Sequence, residues 1–374
     1  MLLFLVMLTG QVRAQEWAIL NVRRGFVTTG VHYQMWRIEG YNNPITQTSF
    51  PISILLPMGR KFNLTITHTP ALSRWYADTR IGGLSDTWIQ GTYVFLGEKA
   101  MINVGLGAPT GKTRLNNNEF LLSNWLSLNV FRFRLPLYGQ GLCGKAGFAW
   151  AYPFYENVIL GFGAQYIHKR PYVPVEYVYT VAGEDKISDK EYKPGDEVIG
   201  NVGVDFRINE DMKIMLDGLY TYYWRDLLNS QEVYGAGQKV SMNIGFLYRL
   251  DRNYIWSRLT YRHRGKNELL QGLTFEKEEQ NTNGPQLELD VVVKALDFEG
   301  SGIFFYGDLR LYGENERDDT GKAFVFGGGF GATLRVSGNA IMDFRFKYLG
   351  GSITTIETRS VECVDTFLGL KIDL

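Results

Sequence analysis

The chain has 374 residues and carries 39 basic and 39 acidic side chains, so its formal net charge is zero. A chain without net charge gives no argument for bulk electrostatic attraction to nucleic acid, and we predict no nucleic-acid partner. Aromatic residues make up 14% of the sequence and glycine occurs 42 times. This composition favours strands over helices.

The first segment, MLLFLVMLTGQVRAQEW, has the features of an export signal. A short apolar run occupies residues 2–8, and Val12 and Ala14 supply small residues at the two positions that define a cleavage site. The pattern predicts a signal peptide over residues 1–14, cut before Gln15, although a basic n-region is absent. A short buried strand is the alternative interpretation.

The stretch GLGAPTGKT, residues 105–113, resembles a phosphate-binding loop. Such a loop needs a glycine followed by four residues and then Gly-Lys-Ser/Thr, but the position five residues before Gly111 is Leu106. The three asparagines at 116–118 also oppose the helix start that should follow. We therefore interpret the stretch as the end of a strand, where Pro109 stops the ladder.

The long segment 110–139 that follows is rich in large apolar residues, which a fully solvated loop would not carry. The sequence predicts that it folds inward and lines a constriction or binding pocket, acting as a gate. Its candidate lining residues are Phe120, Trp125, Phe131 and Phe133. Packing against other loops, or two extra short strands within residues 122–134, are the alternatives.

A period of two dominates the rest of the chain. Over residues 211–225 one face is apolar and ends in an aromatic cluster, while the other face holds every charge. The segment is long enough to cross a bilayer at a tilt, which takes ~9–11 residues. Apolar outer faces and charged inner faces would both be unfavourable in a soluble sandwich, but they fit a barrel with a lipid-facing wall and a polar lumen.

Charged residues on the inner faces of the later strands form a second pattern. The sequence predicts that they face the lumen, where they either pair as a salt-bridged wall or recognise a charged solute. Their mixed signs argue against strong ion selectivity. The predicted lumen charges are Arg258, Arg262, Glu288, Asp290, Asp308, Arg310 and Arg345.

Short and long connections alternate along the chain, as they do in outer-membrane barrels with short periplasmic turns and long extracellular loops. Counting them predicts an all-β fold, a transmembrane antiparallel β-barrel of about sixteen strands in a single domain over residues 15–374. Fourteen strands is the alternative, because the first 60 residues are ambiguous. The long loops are predicted at 110–139, 169–196, 225–237, 265–284, 313–321 and 350–361.

The last residues alternate from Leu368 to Leu374 and resemble the C-terminal insertion signal of outer-membrane proteins, with leucine in place of the usual final aromatic. The segment GLSDTWIQGTYVFLGEKAMINVGLGAPTGKT, residues 83–113, resembles the phenol meta-degradation transporter-like barrels. These are distant relatives of the long-chain fatty acid channels. The resemblance implies a passive route for small, often hydrophobic molecules. No ligand residues of the fatty acid channels can be transferred, and their long N-terminal hatch is not evident.

These patterns together predict an outer-membrane channel or transporter that allows passive passage of small hydrophobic molecules, gated by residues 110–139. The predicted partners are outer-membrane lipid and these solutes, with no cofactor and no enzymatic activity. A structural or surface-interaction barrel without transport is the alternative. An outer-membrane hydrolase is less favoured, because the four histidines lack an accompanying nucleophile motif. The sequence does not fix the oligomeric state.

Overall fold

The computed structural model describes residues 25–76, 79–175, 177–181, 184–188, 190–272, 274–298 and 300–374. The predicted signal peptide lies outside the described residues. The described chain forms one helix, α1 (Asn117–Ser127), and the following strands in chain order: β1 (Phe26–Ile38), β2 (Ile45–Ser49), β3 (Ile52–Pro57), β4 (Phe62–His68), β5 (Ala71–Arg74), β6 (Arg80–Gly83), β7 (Thr87–Phe95), β8 (Ala100–Ala108), β9 (Cys143–Tyr155), β10 (Val158–Lys169), β11 (Tyr177–Val181), β12 (Glu184–Ser188), β13 (Tyr192–Lys193), β14 (Glu197–Arg207), β15 (Met212–Tyr223), β16 (Asp226–Leu228), β17 (Gln231–Gly235), β18 (Lys239–Leu250), β19 (Asn253–Arg264), β20 (Glu268–Gln271), β21 (Thr274–Lys277), β22 (Gln286–Phe298), β23 (Ser301–Tyr312), β24 (Ala323–Arg335), β25 (Ala340–Thr354) and β26 (Thr358–Asp373).

The wall of the molecule is a closed antiparallel barrel of 16 strands, as the sequence predicted. It closes where β1 pairs with β26, from Phe26 opposite Asp373 to Ile38 opposite Val361. Three wall strands consist of two segments each: β2 with β3, β4 with β5, and β6 with β7. This pairing of the first and last wall strands closes the described sheet, which is the condition for a sheet to cross a lipid bilayer.

The two faces of the wall differ as the alternation predicted. On β15, Leu216, Tyr220 and Tyr222 are exposed on the outer face, whereas Met215 and Thr221 are buried on the inner face. The inner faces of β22 and β23 carry buried charges. The outer belt is therefore apolar and the lumen polar, the arrangement of a transmembrane barrel.

Three neighbouring wall strands are interrupted at the same height. The breaks lie between β2 and β3, between β4 and β5, and between β6 and β7. Pro51 and Pro70 sit at two of these breaks, where a residue without an N–H cannot continue the ladder. Single hydrogen bonds still cross the region, including Phe50 N–H to the Pro70 oxygen at 2.8 Å.

The barrel has one end with short turns and one end with longer connections, which we call the turn end and the loop end. The predicted long loop over residues 350–361 is wrong, because β25 continues to Thr354 and β26 begins at Thr358. Paired polar residues such as Ser352 and Ser360 extend this hairpin beyond the apolar belt. At the loop end, β13, β16, β17, β20 and β21 form a separate five-stranded sheet, and β11 pairs with β12.

Helix α1 corrects the expectation that the asparagine run opposes a helix start. Asn116 is its N-cap: its side chain accepts a hydrogen bond from Glu119 N–H at 2.9 Å, and Glu119 accepts one from Asn116 N–H at 3.1 Å. This reciprocal capping box satisfies two backbone donors, and asparagine is among the best N-cap residues. Among the described residues, no helix is long and apolar enough to span a membrane.

Candidate functional site: the inserted segment and the lumen

Residues 110–139 enter the barrel lumen from the loop end, and we call them the inserted segment. Asp86 joins the two ends of this segment: its carboxylate accepts hydrogen bonds from Gly111 N–H at 3.0 Å and from Gln140 N–H at 2.6 Å. The chain crosses itself closely here, since a Cβ on Gly111 would lie 2.5 Å from the Tyr138 oxygen and 2.8 Å from Gly139 Cα. Glycine is required at such a close approach.

Wall side chains bind the backbone of the inserted segment. Gln47 brackets Leu135, donating to its carbonyl at 2.9 Å and accepting from its N–H at 2.8 Å. Gln34 donates to the Arg132 carbonyl at 3.1 Å and accepts from Arg134 N–H at 2.7 Å. Because both glutamines are almost fully buried, each of these bonds replaces hydration that the segment loses inside the lumen.

Two aromatic side chains extend this anchoring. Trp36 donates from Nε1 to the Phe131 carbonyl at 3.1 Å. The Tyr138 hydroxyl donates to the Ile81 carbonyl at 3.0 Å and lies 2.8 Å from Ser73 Oγ. Burial raises the pKa of the Tyr138 phenol to about 12, so the hydroxyl keeps its proton and remains a donor.

Arg132 connects the inserted segment to the opposite wall. Its guanidinium lies 2.5 Å from Glu288, 3.0 Å from Asp290 and 3.3 Å from Asp308, three carboxylates on β22 and β23. Its φ of 47° is in the left-handed region, which non-glycine residues seldom adopt. Three almost fully buried acidic partners compensate for this backbone conformation.

The four predicted lining residues of the inserted segment occupy different environments. Phe131 is fully buried against Trp36, at 4.9 Å between ring centroids, in an apolar core between segment and wall. Trp125 packs on the edge of that core, and Phe120 is exposed on the outer side of α1. Phe133 is buried and lines the open part of the lumen.

The inserted segment fills one side of the lumen and leaves the other side open. The open side is a cavity of about 480 Å³ between residues 126–136 and the inner faces of β14, β15, β18 and β19. A smaller cavity of about 70 Å³ lies towards the turn end, and Arg258 and Arg345 line both cavities. A further cavity of about 130 Å³ near Thr28 and Lys371 shares His32, Arg134 and Arg345 with the first.

The seven predicted lumen charges lie on β19, β22, β23 and β25, and six of them belong to one network of ion pairs that includes Arg132. Arg258 binds Asp290 at 3.0 Å, Arg262 binds Glu288 at 2.8 Å, and Arg310 binds Asp308 at 2.9 Å. Arg345 lies 4.0 Å from Asp365 on the neighbouring strand.

Three residues essential to the site were missed. Arg132 was not singled out because it stands in an aperiodic loop, and Gln34 and Gln47 because they lie in the ambiguous first 60 residues. Two arginines, Arg132 and Arg134, within the apolar stretch 130–137 were the available signal.

The lumen contains one histidine–carboxylate pair that bears on the hydrolase alternative. His32 Nε2 lies 3.0 Å from Asp365 Oδ1, and Ser49 is directly opposite His32 in the β1–β2 register. The Ser49 hydroxyl is buried, however, and has no hydrogen-bond partner. A serine nucleophile needs a hydrogen-bonded base, so these residues do not form a catalytic triad.

The sequence matches no protein-family model and no curated protein. Solved structures with the same fold include OprB of Pseudomonas putida, at 10% identity and a TM-score of 0.51, with 98% of this chain and 96% of that chain covered. A deltaS2S3 mutant of the monoaromatic hydrocarbon channel TodX is similar at 8% identity and a TM-score of 0.47, with 96% of this chain and 92% of that chain covered. An outer membrane channel from Pseudomonas putida F1 is similar at 7% identity and a TM-score of 0.38, covering 94% and 95%. The chain has the fold of an outer-membrane β-barrel.

Proposed function

We propose that the protein is an outer-membrane channel through which small solutes diffuse passively along the open side of the lumen. The observation that carries this proposal is the pair of cavities that share Arg258 and Arg345, because the inserted segment lines one and Tyr254, close to the turn end, lines the other. A barrel with a purely structural role would gain nothing from leaving this side of the lumen open. In this orientation, the loop end is extracellular and the turn end is periplasmic.

The anchoring of the inserted segment favours a fixed constriction rather than the gate that the sequence predicted. Opening would break the bonds from Gln34, Gln47 and Trp36 and would also separate Arg132 from three carboxylates. Buried charge pairs of this kind cost several kcal/mol to separate, about 3–5 kcal/mol for the loss of one partner. The segment therefore sets the width of the pore in the resting protein.

The lining of the open side favours the passage of polar or charged solutes rather than of the hydrophobic molecules that the resemblance implied. Its wall carries Thr221, Ser241, Asn243 and Thr260 together with charged side chains. Removing water from these groups to pass an apolar molecule would be unfavourable, whereas a polar solute can replace the water's hydrogen bonds. Passage of hydrophobic molecules stays a prediction.

Liposome swelling with sugars of increasing size tests the channel and its constriction together. Proteoliposomes of the intact protein should swell with small sugars and show a size cut-off. Deleting residues 116–133 should raise that cut-off. A matched control deletes residues 315–319 from the 313–322 connection, which lies outside the lumen, and should leave the cut-off unchanged.

The results also separate the competing functions. A folded barrel that passes no sugar before or after the deletion would contradict a channel and favour a structural barrel. Equal cut-offs for the intact and deleted proteins would contradict the constriction while preserving the channel.

A further inference from the structure

Arg258 and Arg345 stand where the larger cavity meets the smaller cavity near the turn end. They belong to different wall strands, β19 and β25. A solute that moves from the larger into the smaller cavity passes both guanidinium groups. Their chemistry therefore determines which solutes cross most readily.

Both guanidinium groups have unused hydrogen-bonding capacity. The Nε–H of Arg258 and the Nε–H of Arg345 are buried from solvent and have no acceptor. Arg258 binds Asp290 through Nη2, and the Nε of Arg345 is 4.0 Å from the nearest Asp365 oxygen, too far for a hydrogen bond. An unsatisfied buried donor is unfavourable unless a ligand or water accepts from it.

Aromatic rings hold both groups in place. The Arg258 guanidinium lies 5.5 Å from the Trp256 ring centre, and that of Arg345 lies 5.3 Å from the Phe367 ring centre. Cation–π contacts restrict the rotation of a long side chain, so less conformational entropy is lost when an anion binds.

The lumen presents mainly positive charge to the solute, although it carries both acidic and basic side chains. In the pairs along the route the base is more exposed than the acid: the Arg262 side chain is 28% exposed and Glu288 2%, while Arg258 is 14% exposed and Asp290 6%. Lys239 also lines the large cavity and has no carboxylate within ion-pair distance among the described residues. In total, seven basic and three acidic residues line that cavity.

The smaller cavity adds an aromatic surface beside the two arginines. Its lining includes the rings of Tyr254, Trp256, Phe304 and Tyr306. Its other charged lining residues are Asp290, Asp343 and Lys347, so both signs are present there. A planar ring can pack against the aromatic side chains while a carboxylate accepts from the guanidinium groups.

We propose that the junction formed by Arg258 and Arg345 is a binding site for a small aromatic carboxylate, and that the channel consequently prefers anions. The inference rests on the proposed channel function and specifies its solute class. The carboxylate accepts hydrogen bonds from the two guanidinium groups that line both cavities, and the ring enters the cavity lined by Trp256 and Tyr306. The solute then leaves at the turn end.

Planar-bilayer recording with benzoate as the probe tests this site. In a potassium chloride gradient, the reversal potential should show a preference for chloride. Added benzoate should reduce the chloride current in a concentration-dependent way. Acetate lacks the ring and benzyl alcohol lacks the charge. Each should therefore block at least tenfold more weakly than benzoate, which corresponds to about 1.4 kcal/mol in binding free energy.

Two kinds of variant separate charge from geometry. Arg258→Gln with Arg345→Gln should weaken both the chloride preference and the benzoate block. Arg258→Lys with Arg345→Lys should keep the chloride preference but weaken the benzoate block about tenfold or more, since lysine lacks the planar guanidinium fork that binds a carboxylate. Arg317→Gln, an exposed loop residue, is the matched control. A heat-dependent gel shift establishes that each variant is folded.

The inference is overturned by a conducting barrel with cation preference or no preference, or by benzoate block that survives the double glutamine change. Equal block by benzyl alcohol would also overturn it. A folded barrel without any conductance contradicts the channel function itself, so the two failures are distinguishable.

Discussion

Arg132 donates to Asp290 at 3.0 Å, although the two residues are 158 positions apart in the chain. One belongs to a loop that has entered the barrel and the other to the wall strand β22. The contact holds the inserted segment against the opposite wall, and with it fixes the boundary of the open route.

Replacing Arg132 with alanine should loosen the inserted segment and destabilise the protein by about 3 kcal/mol, because three buried carboxylates lose a shared partner. The free energy of unfolding of the barrel in detergent, together with single-channel conductance, measures both effects. Conductance should rise. Arg317→Ala, an exposed control, should change neither, and an Arg132→Ala protein with native stability and conductance would contradict this role.

Replacing Gln47 with leucine should destabilise the inserted segment by about 1–3 kcal/mol, because the N–H and carbonyl of Leu135 both lose their buried partner. Hydrogen exchange at residues 128–138 should accelerate. Gln271→Leu at an exposed position serves as the control. Unchanged exchange in the Gln47 variant would show that the side chain does not anchor the segment.

Replacing Asn116 with alanine should weaken α1 by about 1 kcal/mol through loss of the N-cap. Asn118→Ala, an exposed change inside the helix, should not weaken it, because alanine is the better helix former there. Hydrogen exchange across residues 117–127 compares the two. Equal effects would mean that the capping box is not responsible for the helix start.

Acid should loosen the loop end at Asp196. Burial raises the pKa of this carboxyl, but hydrogen bonds from Tyr166, the Lys169 N–H and His168 outweigh burial and lower the pKa to about 2. A lowered folded-state pKa stabilises the protein above the ordinary value near 4, and that contribution is lost as pH falls from about 4 through 2.

Limited proteolysis at graded pH checks this prediction. The wild-type loop end should become more sensitive to a protease that is active in acid as pH falls through this range. Asp196→Asn should already be sensitive at neutral pH and should change less with acid. Identical profiles for the two proteins would contradict the assignment to Asp196.

The parts of the fold that follow from local alternation could be predicted, and the parts set by long-range partners could not. The faces of β15, β22 and β25 were correct, because each face meets a single medium, lipid or lumen. The β25–β26 hairpin is longer than predicted, because the residues near its tip are polar although they are paired. Helix α1 was missed since asparagine was weighed as a poor helix interior residue and not as an N-cap.

The candidate site shows the same division. The wall charges Glu288, Asp290 and Asp308 follow from strand parity, but their shared partner Arg132 comes from a loop with no periodicity. The roles of Gln34 and Gln47 depend on backbone groups that are 98 and 88 positions away in the chain. No local pattern encodes such contacts.

In the proposed channel, a water-filled route runs beside a fixed inserted segment. Single-channel recording of the intact protein and of the variant lacking residues 116–133 tests it most directly. The intact protein should show discrete, steady conductance steps, and the variant should show larger steps. A folded, membrane-inserted protein that carries no current, with the variant equally silent, would contradict it.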